Sequence, residues 1–82
     1  MNNINTSSKE SEENILGILT KREHQVFEML IKNMTTKDIA LKLGISEKTI
    51  RNHISNVMQK LGVKGRTSAV IELLKLGELN LK

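Results

Sequence analysis

The spacing between one helix end and the next helix start limits this chain more than any other feature of its sequence. Gly44 follows a short helical pattern, and glycine adopts without strain the left-handed conformation that commonly closes a helix. Ser46 is a favourable N-cap residue for a following helix, so Ile45 is the single residue between the two signals. Two helices joined through so short a connection must cross steeply. The sequence therefore predicts a helix-turn-helix unit, in which a turn of about three to four residues often contains glycine.

Helix start and stop signals flank this unit on both sides. Thr20 and Glu23 have the spacing of a capping box, which satisfies free backbone amides at a helix start. Thr35 and Asp38 repeat that spacing before the second helix. Asn33 tolerates the left-handed conformation and is the expected end of the first helix. No segment shows the alternation of a strand, so we predict an all-α fold of four helices, at about residues 21–33, 36–43, 47–61 and 67–76.

The chain divides into a polar tail and a basic domain. Residues 1–14 hold few apolar side chains, and we expect a disordered tail because such a segment buries too little surface to offset its ordering entropy. Residues 15–82 form the predicted helical domain, and they hold twelve basic and six acidic side chains, a net charge of +6. This charge on so small a domain favours a polyanionic partner.

Several kinds of protein and site are disfavoured by what the sequence lacks. The chain has no cysteine, which excludes disulfides and thiolate metal sites, and no spacing of histidines and carboxylates indicates a metal or cofactor. His53 is expected to serve packing or a backbone contact rather than catalysis. No apolar run approaches the roughly 20 residues of a membrane span, and the amino terminus is unlike a signal peptide, so we expect a cytoplasmic protein. No catalytic constellation is visible, which disfavours an enzyme.

The third predicted helix has one apolar face and one polar face on a wheel of about 100 degrees per residue. The apolar face consists of Ile50, Ile54, Val57, Met58 and Leu61. The polar face consists of Lys48, Asn52, Ser55 and Gln59, flanked by Arg51 and Asn56. It holds no acidic side chain. The one acidic residue of this helix, Glu47, lies in the first turn, where the helix dipole stabilises a negative charge. A helix face that only contacts water ordinarily carries both acidic and basic side chains. The absence of acidic side chains here therefore favours a DNA-binding surface over a face that is merely exposed to solvent.

The polar face has the chemistry that the DNA major groove requires. Arginine can donate to N7 and O6 of guanine, and asparagine can pair with the edge of adenine. We therefore predict base readout by Arg51, Asn52, Ser55 and Asn56. Phosphates supply most of the salt-dependent affinity, and the predicted phosphate contacts are Lys37, Lys48 and Lys60.

The fourth predicted helix carries more apolar side chains than one face can bury. The face expected to pack on the core consists of Ala69, Val70, Leu73 and Leu76. Ile71 and Leu74 point away from that face, and two such side chains on the last helix of a small domain suggest an interface. We predict an interface formed by Ile71, Leu74, Lys75 and Glu78.

Four segments of the sequence resemble the LuxR-type helix-turn-helix DNA-binding family. They are LTKRE at 19–23, KDIA at 37–40, ISEKTIRNHI at 45–54, and KLGV at 60–63 with Arg66. The resemblance covers residues 19–79 and implies four helices, the third in the major groove and the fourth mediating dimerisation. It implies base contacts by Arg51, Asn52 and Ser55, and phosphate contacts by Thr36, Lys37, Lys48 and Thr49. Asn33 departs from the family, which usually has glycine there.

The predicted function is that of a bacterial transcription regulator that binds promoter DNA as a homodimer, with no cofactor and with RNA polymerase as a candidate partner. Within the family, the sequence is most similar to small stand-alone regulators of spore-coat genes, which implies a role in sporulation. The initial methionine and the polar tail favour a stand-alone protein over the excised output domain of a larger response regulator. A further alternative is an adaptor that binds another protein through the fourth helix and leaves the third unused.

Overall fold

The computed structural model describes residues 17–81, and these residues form four α-helices. They are α1 (Lys21–Leu30), α2 (Thr36–Leu43), α3 (Glu47–Leu61) and α4 (Arg66–Lys75). The prediction of an all-α helix-turn-helix fold is confirmed. The tail predicted for residues 1–14 lies outside the described residues. Within the described part of the chain, no helix is both long and apolar enough to cross a membrane.

Side chains cap the first three helices at the predicted positions. The hydroxyl of Thr20 accepts from the backbone N–H of Glu23, whose carboxylate accepts from the N–H of Thr20 in return. The same reciprocal pair forms at the start of α2, between Thr35 and Asp38. At the start of α3, the hydroxyl of Ser46 accepts from the N–H of Thr49. Each cap satisfies a backbone donor that the helix itself cannot pair, so the helix starts are determined locally.

The turn between α2 and α3 has the conformation that its residues predict. Gly44 has a φ of 71°, in the left-handed region, and its N–H donates to the carbonyl of Ala40. Ile45 donates to the same carbonyl, and Ser46 returns to extended backbone before α3 begins. The chain thus changes direction between the C-cap of α2 and the N-cap of α3, and these two helices form the helix-turn-helix unit.

The first helix ends three residues earlier than the sequence pattern predicts. After Leu30 the backbone tightens, because the N–H groups of Lys32 and Asn33 donate to carbonyls three residues back. Asn33 has a φ of 68°, and Met34 then donates to the carbonyl of Met29. Asparagine therefore adopts the left-handed conformation expected of it, but it closes a tightened turn that follows the helix rather than the helix itself.

Helix α3 occupies the centre of the fold and packs against the other three helices. Ile50, Ile54 and Val57 on α3 are at most 2% exposed. They pack in one buried cluster with apolar side chains of the other helices, among them Phe27, Ile39, Ala69 and Leu73. Burial of this stripe fixes which face of α3 remains at the surface.

The predicted packing of α4 is wrong at its end. Leu76 was expected on the core face but is 54% exposed, and the last buried residue of α4 is Leu73. Leu74 was expected to point away from the core, yet it is half-buried and packs against the core cluster. Ala69 and Leu73 are fully buried as predicted, and Ile71 is 49% exposed. One apolar side chain, Ile71, thus remains clearly on the outer face of the helix.

Candidate nucleic-acid interface

The surface of α3 opposite the buried stripe is polar and open to solvent. Its exposed side chains are Lys48, Arg51, Asn52, Ser55, Asn56 and Gln59. All four residues predicted to read bases, namely Arg51, Asn52, Ser55 and Asn56, are therefore on the accessible side of the helix. None of the six is acidic, and a rigid helix holds them in fixed relative positions. We call this set the outer face of α3.

The nearest acidic group is Glu47, which contacts the arginine of this face. Its Oε1 lies 3.8 Å from a guanidinium nitrogen of Arg51, one turn along the helix, and both side chains are largely exposed. An exposed pair of this kind stabilises a helix by about 0.2 to 0.5 kcal/mol. A bidentate contact with guanine contributes about 1 to 3 kcal/mol of discrimination. The pair with Glu47 is weak enough to leave the guanidinium of Arg51 available to a stronger partner.

Three of the predicted phosphate contacts cluster near the start of α3. Lys37 is exposed and lines a surface depression of about 510 Å³ that it shares with Ser46 and Glu47. Lys48 is exposed at the start of α3, beside the same turn. Thr49 is half-buried, and its hydroxyl lies 3.0 Å from that of Ser46. Thr36, the fourth residue implied by the family resemblance, begins α2 and is half-buried.

Lys60 is not placed with these residues. Its ammonium donates to Oε1 of Glu23 and to the carbonyl of Ile18, 2.9 Å away. The carboxylate of Glu23 is buried at the start of α1, whereas the side chain of Lys60 is 35% exposed, so the ammonium reaches a buried partner from the surface. The phosphate contact by Lys60 stays a prediction, and because the ammonium already has two acceptors we leave it out of the proposed DNA contacts.

The residues predicted to form a dimer interface do not share one surface. Ile71 and Lys75 are exposed on α4, and Leu74 lines a groove of about 450 Å³ between α4 and the end of α1. Glu78 lies beyond α4 and turns towards Gly17, where a Cβ atom would meet its carboxylate at 1.8 Å. Its backbone carbonyl is 2.9 Å from Nε2 of His24, which must donate because a carbonyl only accepts. Glu78 therefore makes contacts within the chain rather than on the exposed side of α4.

Two long-range contacts of this region were missed by the sequence reasoning. They are the pair of Glu23 with Lys60 and the hydrogen bond from His24 to Glu78, which join residues 37 and 54 positions apart. The spacing of Glu23 and Thr20 indicates the local cap but carries no sign of a second, distant partner. His53 is half-buried on α3. Within residues 17–81, no three histidine or carboxylate side chains come together in a way that could hold a metal ion.

Comparison with known proteins assigns this geometry to a family. The model for bacterial regulatory proteins of the LuxR family, also called the GerE family, matches residues 17–73. The chain is 64% identical over 73 residues to the spore germination protein GerE of Bacillus subtilis (strain 168), a match that covers 89% of this chain and 99% of that protein. It is 45% identical over 62 residues to the transcriptional regulatory protein DegU of Brevibacillus brevis, covering 76% of this chain and 26% of DegU.

A solved structure agrees with these sequence matches. The structure of the transcription factor GerE superposes on 78% of this chain with a TM-score of 0.76, at 59% sequence identity, and the match covers 96% of that chain. The resemblance seen in the motifs around the turn and α3 is thereby confirmed. The protein belongs to the LuxR family of bacterial regulatory proteins.

Proposed function

We propose that this protein regulates transcription by binding promoter DNA sequence-specifically, with α3 in the major groove. The observation that carries the proposal is the outer face of α3, which is exposed, free of acidic side chains and opposite a fully buried stripe. The major groove admits one α-helix, and its base edges present the acceptors and donors that arginine, asparagine and serine can pair with. The base contacts we propose are those of Arg51, Asn52, Ser55 and Asn56.

Basic side chains beside this face supply the affinity that does not depend on sequence. We propose phosphate contacts by Lys37, Lys48, Thr36 and Thr49, which lie at the starts of α2 and α3. Helix starts suit this role because their free backbone N–H groups and the helix dipole both favour an anion. These contacts would set the register of α3 in the groove, while the outer face would choose the sequence.

We propose that the regulator acts as a homodimer joined through α4. Ile71 is a large apolar residue that is half exposed to water, on a helix whose opposite face is buried. Lys75 lies on the same exposed side, and Leu74 at its edge joins the groove beside α1. A two-fold dimer would place two copies of α3 on half-sites about 10 base pairs, or one turn of DNA, apart.

The relatives suggest where the regulator acts. GerE of Bacillus subtilis is named as a spore germination protein, so we propose a role in spore formation or germination for this chain. We propose that it acts in the cytoplasm on the nucleoid, with RNA polymerase as a candidate partner. An adaptor that uses α4 to bind another protein would leave the acid-free outer face of α3 without a purpose, and we therefore favour DNA binding.

The proposal predicts a selective loss when arginine is removed from the outer face. Arg51→Ala should weaken binding to an operator by about 1 to 3 kcal/mol and binding to random DNA far less, since the contact reads a base. The operator is a duplex that the wild-type protein selects from a random-sequence pool, and fluorescence anisotropy gives both affinities. Lys32→Ala is the control, because Lys32 is exposed in the turn after α1 and away from α3. If Arg51→Ala distinguishes operator from random DNA as well as wild type does, readout by Arg51 is wrong.

A further inference from the structure

One carboxylate joins the start of α1 to the end of α3. Oε1 of Glu23 accepts from the backbone N–H of Thr20 at 3.0 Å and from the ammonium of Lys60. The same ammonium donates to the carbonyl of Ile18, in the chain that leads into α1. Glu23 is 4% exposed and is the one charged residue that is buried within residues 17–81. Three donor–acceptor contacts thus meet where the last turn of α3 reaches the first turn of α1.

This pair can fix the position of α3 in a way that apolar packing cannot. The contacts of Ile54 and Val57 with the core are non-directional, so a small slide or rotation of α3 changes them gradually. A buried carboxylate, by contrast, must keep its cationic partner within hydrogen-bond distance, because an unpaired buried charge is strongly unfavourable. Lys60 lies in the last turn of α3, and its ammonium donates both to Oε1 of Glu23 and to the carbonyl of Ile18, so the two contacts together limit the rotation and the axial position of that helix.

The outer face depends on that position. Lys60 is eight residues beyond Asn52 on the same helix, a separation of about 12 Å at 1.5 Å per residue. Hydrogen bonds to base edges require placement within about 0.5 Å and 10 to 20 degrees. The attraction between lysines and phosphates is sequence-independent and acts through charge, so it tolerates larger displacements. A shift of α3 would therefore weaken binding to the correct sequence more than binding to DNA in general.

We propose that Glu23 and Lys60 are positioning residues for sequence-specific DNA binding. They hold α3 in the register on α1 at which its outer face fits the bases, and Lys60 itself makes no phosphate contact. This inference rests on the proposed function, because it assigns the pair a role in the reading of an operator.

The experiment compares Lys60→Met, Glu23→Gln and the double variant with wild type. Methionine keeps most of the apolar stem of lysine, and glutamine keeps an oxygen that can accept from the N–H of Thr20. The probes are the operator selected by wild type and a scrambled duplex of the same composition. For each variant, anisotropy gives the affinity for both probes over a range of salt concentrations, and circular dichroism gives the thermal midpoint. Binding is measured well below that midpoint.

We expect each single variant to lose about tenfold in operator affinity and less than about twofold on scrambled DNA. The salt slope on scrambled DNA should remain that of wild type. Lys37→Ala is the comparison variant, and it should weaken both probes and reduce the log–log slope by about 0.9, the value for one lost phosphate contact. Both single variants should also lower the thermal midpoint, because Lys60→Met leaves the buried carboxylate of Glu23 without its cation and Glu23→Gln replaces a charge-assisted contact by a weaker one.

The double variant separates positioning from stability. The double variant has no charge at either position, so no buried charge is left without a partner. Its thermal midpoint should therefore recover towards that of wild type, while its affinity for the operator stays low. Recovery of operator affinity together with the midpoint would show that the pair only stabilises the fold, and would overturn the inference. A reduced salt slope for Lys60→Met on scrambled DNA would also overturn it, because Lys60 would then be a phosphate contact. If wild type selects no operator at all, the proposed function itself fails, which is a different result from either of these.

Discussion

Ile54→Ala is expected to remove a large part of the stability of the domain and to lower its thermal midpoint steeply. Ile54 is 2% exposed at the centre of α3, the helix that packs against the other three. Truncation of a buried isoleucine to alanine costs about 2 to 5 kcal/mol, the sum of lost burial and the cavity left behind. A domain of this size has only about 3 to 10 kcal/mol of unfolding free energy in total. Thermal denaturation followed by circular dichroism measures the loss.

The neighbouring residue supplies a matched control for this prediction. Ser55 is next in sequence but lies on the outer face of α3, exposed to solvent. Ser55→Ala should change the free energy of unfolding by no more than about 0.5 kcal/mol, as is usual for surface positions. Equal destabilisation by the two variants would contradict the orientation of α3 on which the proposed DNA contacts depend.

Ile71→Glu is expected to give folded monomers that bind a two-half-site operator about a hundredfold or more weakly than wild type. The glutamate would lie in water in the monomer but in an apolar contact in the dimer, because Ile71 is 49% exposed and points away from the core. Without the dimer, the second α3 no longer meets its half-site at high effective concentration, whereas binding to one isolated half-site should change little. Sedimentation velocity gives the assembly state, and anisotropy on full and half operators gives the affinities.

Leu74 is left unchanged in this test because it packs against the core cluster, so a charge there would confuse dissociation with unfolding. Gln25→Glu is the control for the added charge, since Gln25 is exposed on α1. An Ile71→Glu protein that remains dimeric would place the interface on another surface. A protein that unfolds would show that Ile71 contributes to the core despite its exposure.

The features that could be predicted from the sequence are those determined by neighbouring residues. The capping boxes at Thr20 and Thr35 and the left-handed Gly44 depend on groups within four positions, and all three form as expected. The stripe of Ile50, Ile54 and Val57 has helical spacing, so it identifies the buried face of α3 and, by difference, the exposed one. The fold and the outer face of α3 could be predicted from the sequence for that reason.

Features that depend on distant parts of the chain were not predictable in this way. A helical wheel shows which side chains of α4 share a face but not how far along the helix the core extends, so it groups the exposed Leu76 with the buried Leu73. The partner of Lys60 is 37 positions away, so the local sequence gives no sign of the pair with Glu23. Which side chains of α4 are left exposed likewise depends on how closely the end of α1 approaches them.

Binding of the wild-type protein to DNA as a function of salt tests the central claim most directly. The protein would first select an operator from a random-sequence pool, and its affinity for that operator and for a scrambled duplex would then be measured. We predict a preference of about a thousandfold or more for the operator, and an affinity for both duplexes that falls steeply with salt because bound phosphates release counterions. Equal affinity for the two duplexes, or an affinity that salt does not change, would contradict the claim that α3 reads DNA.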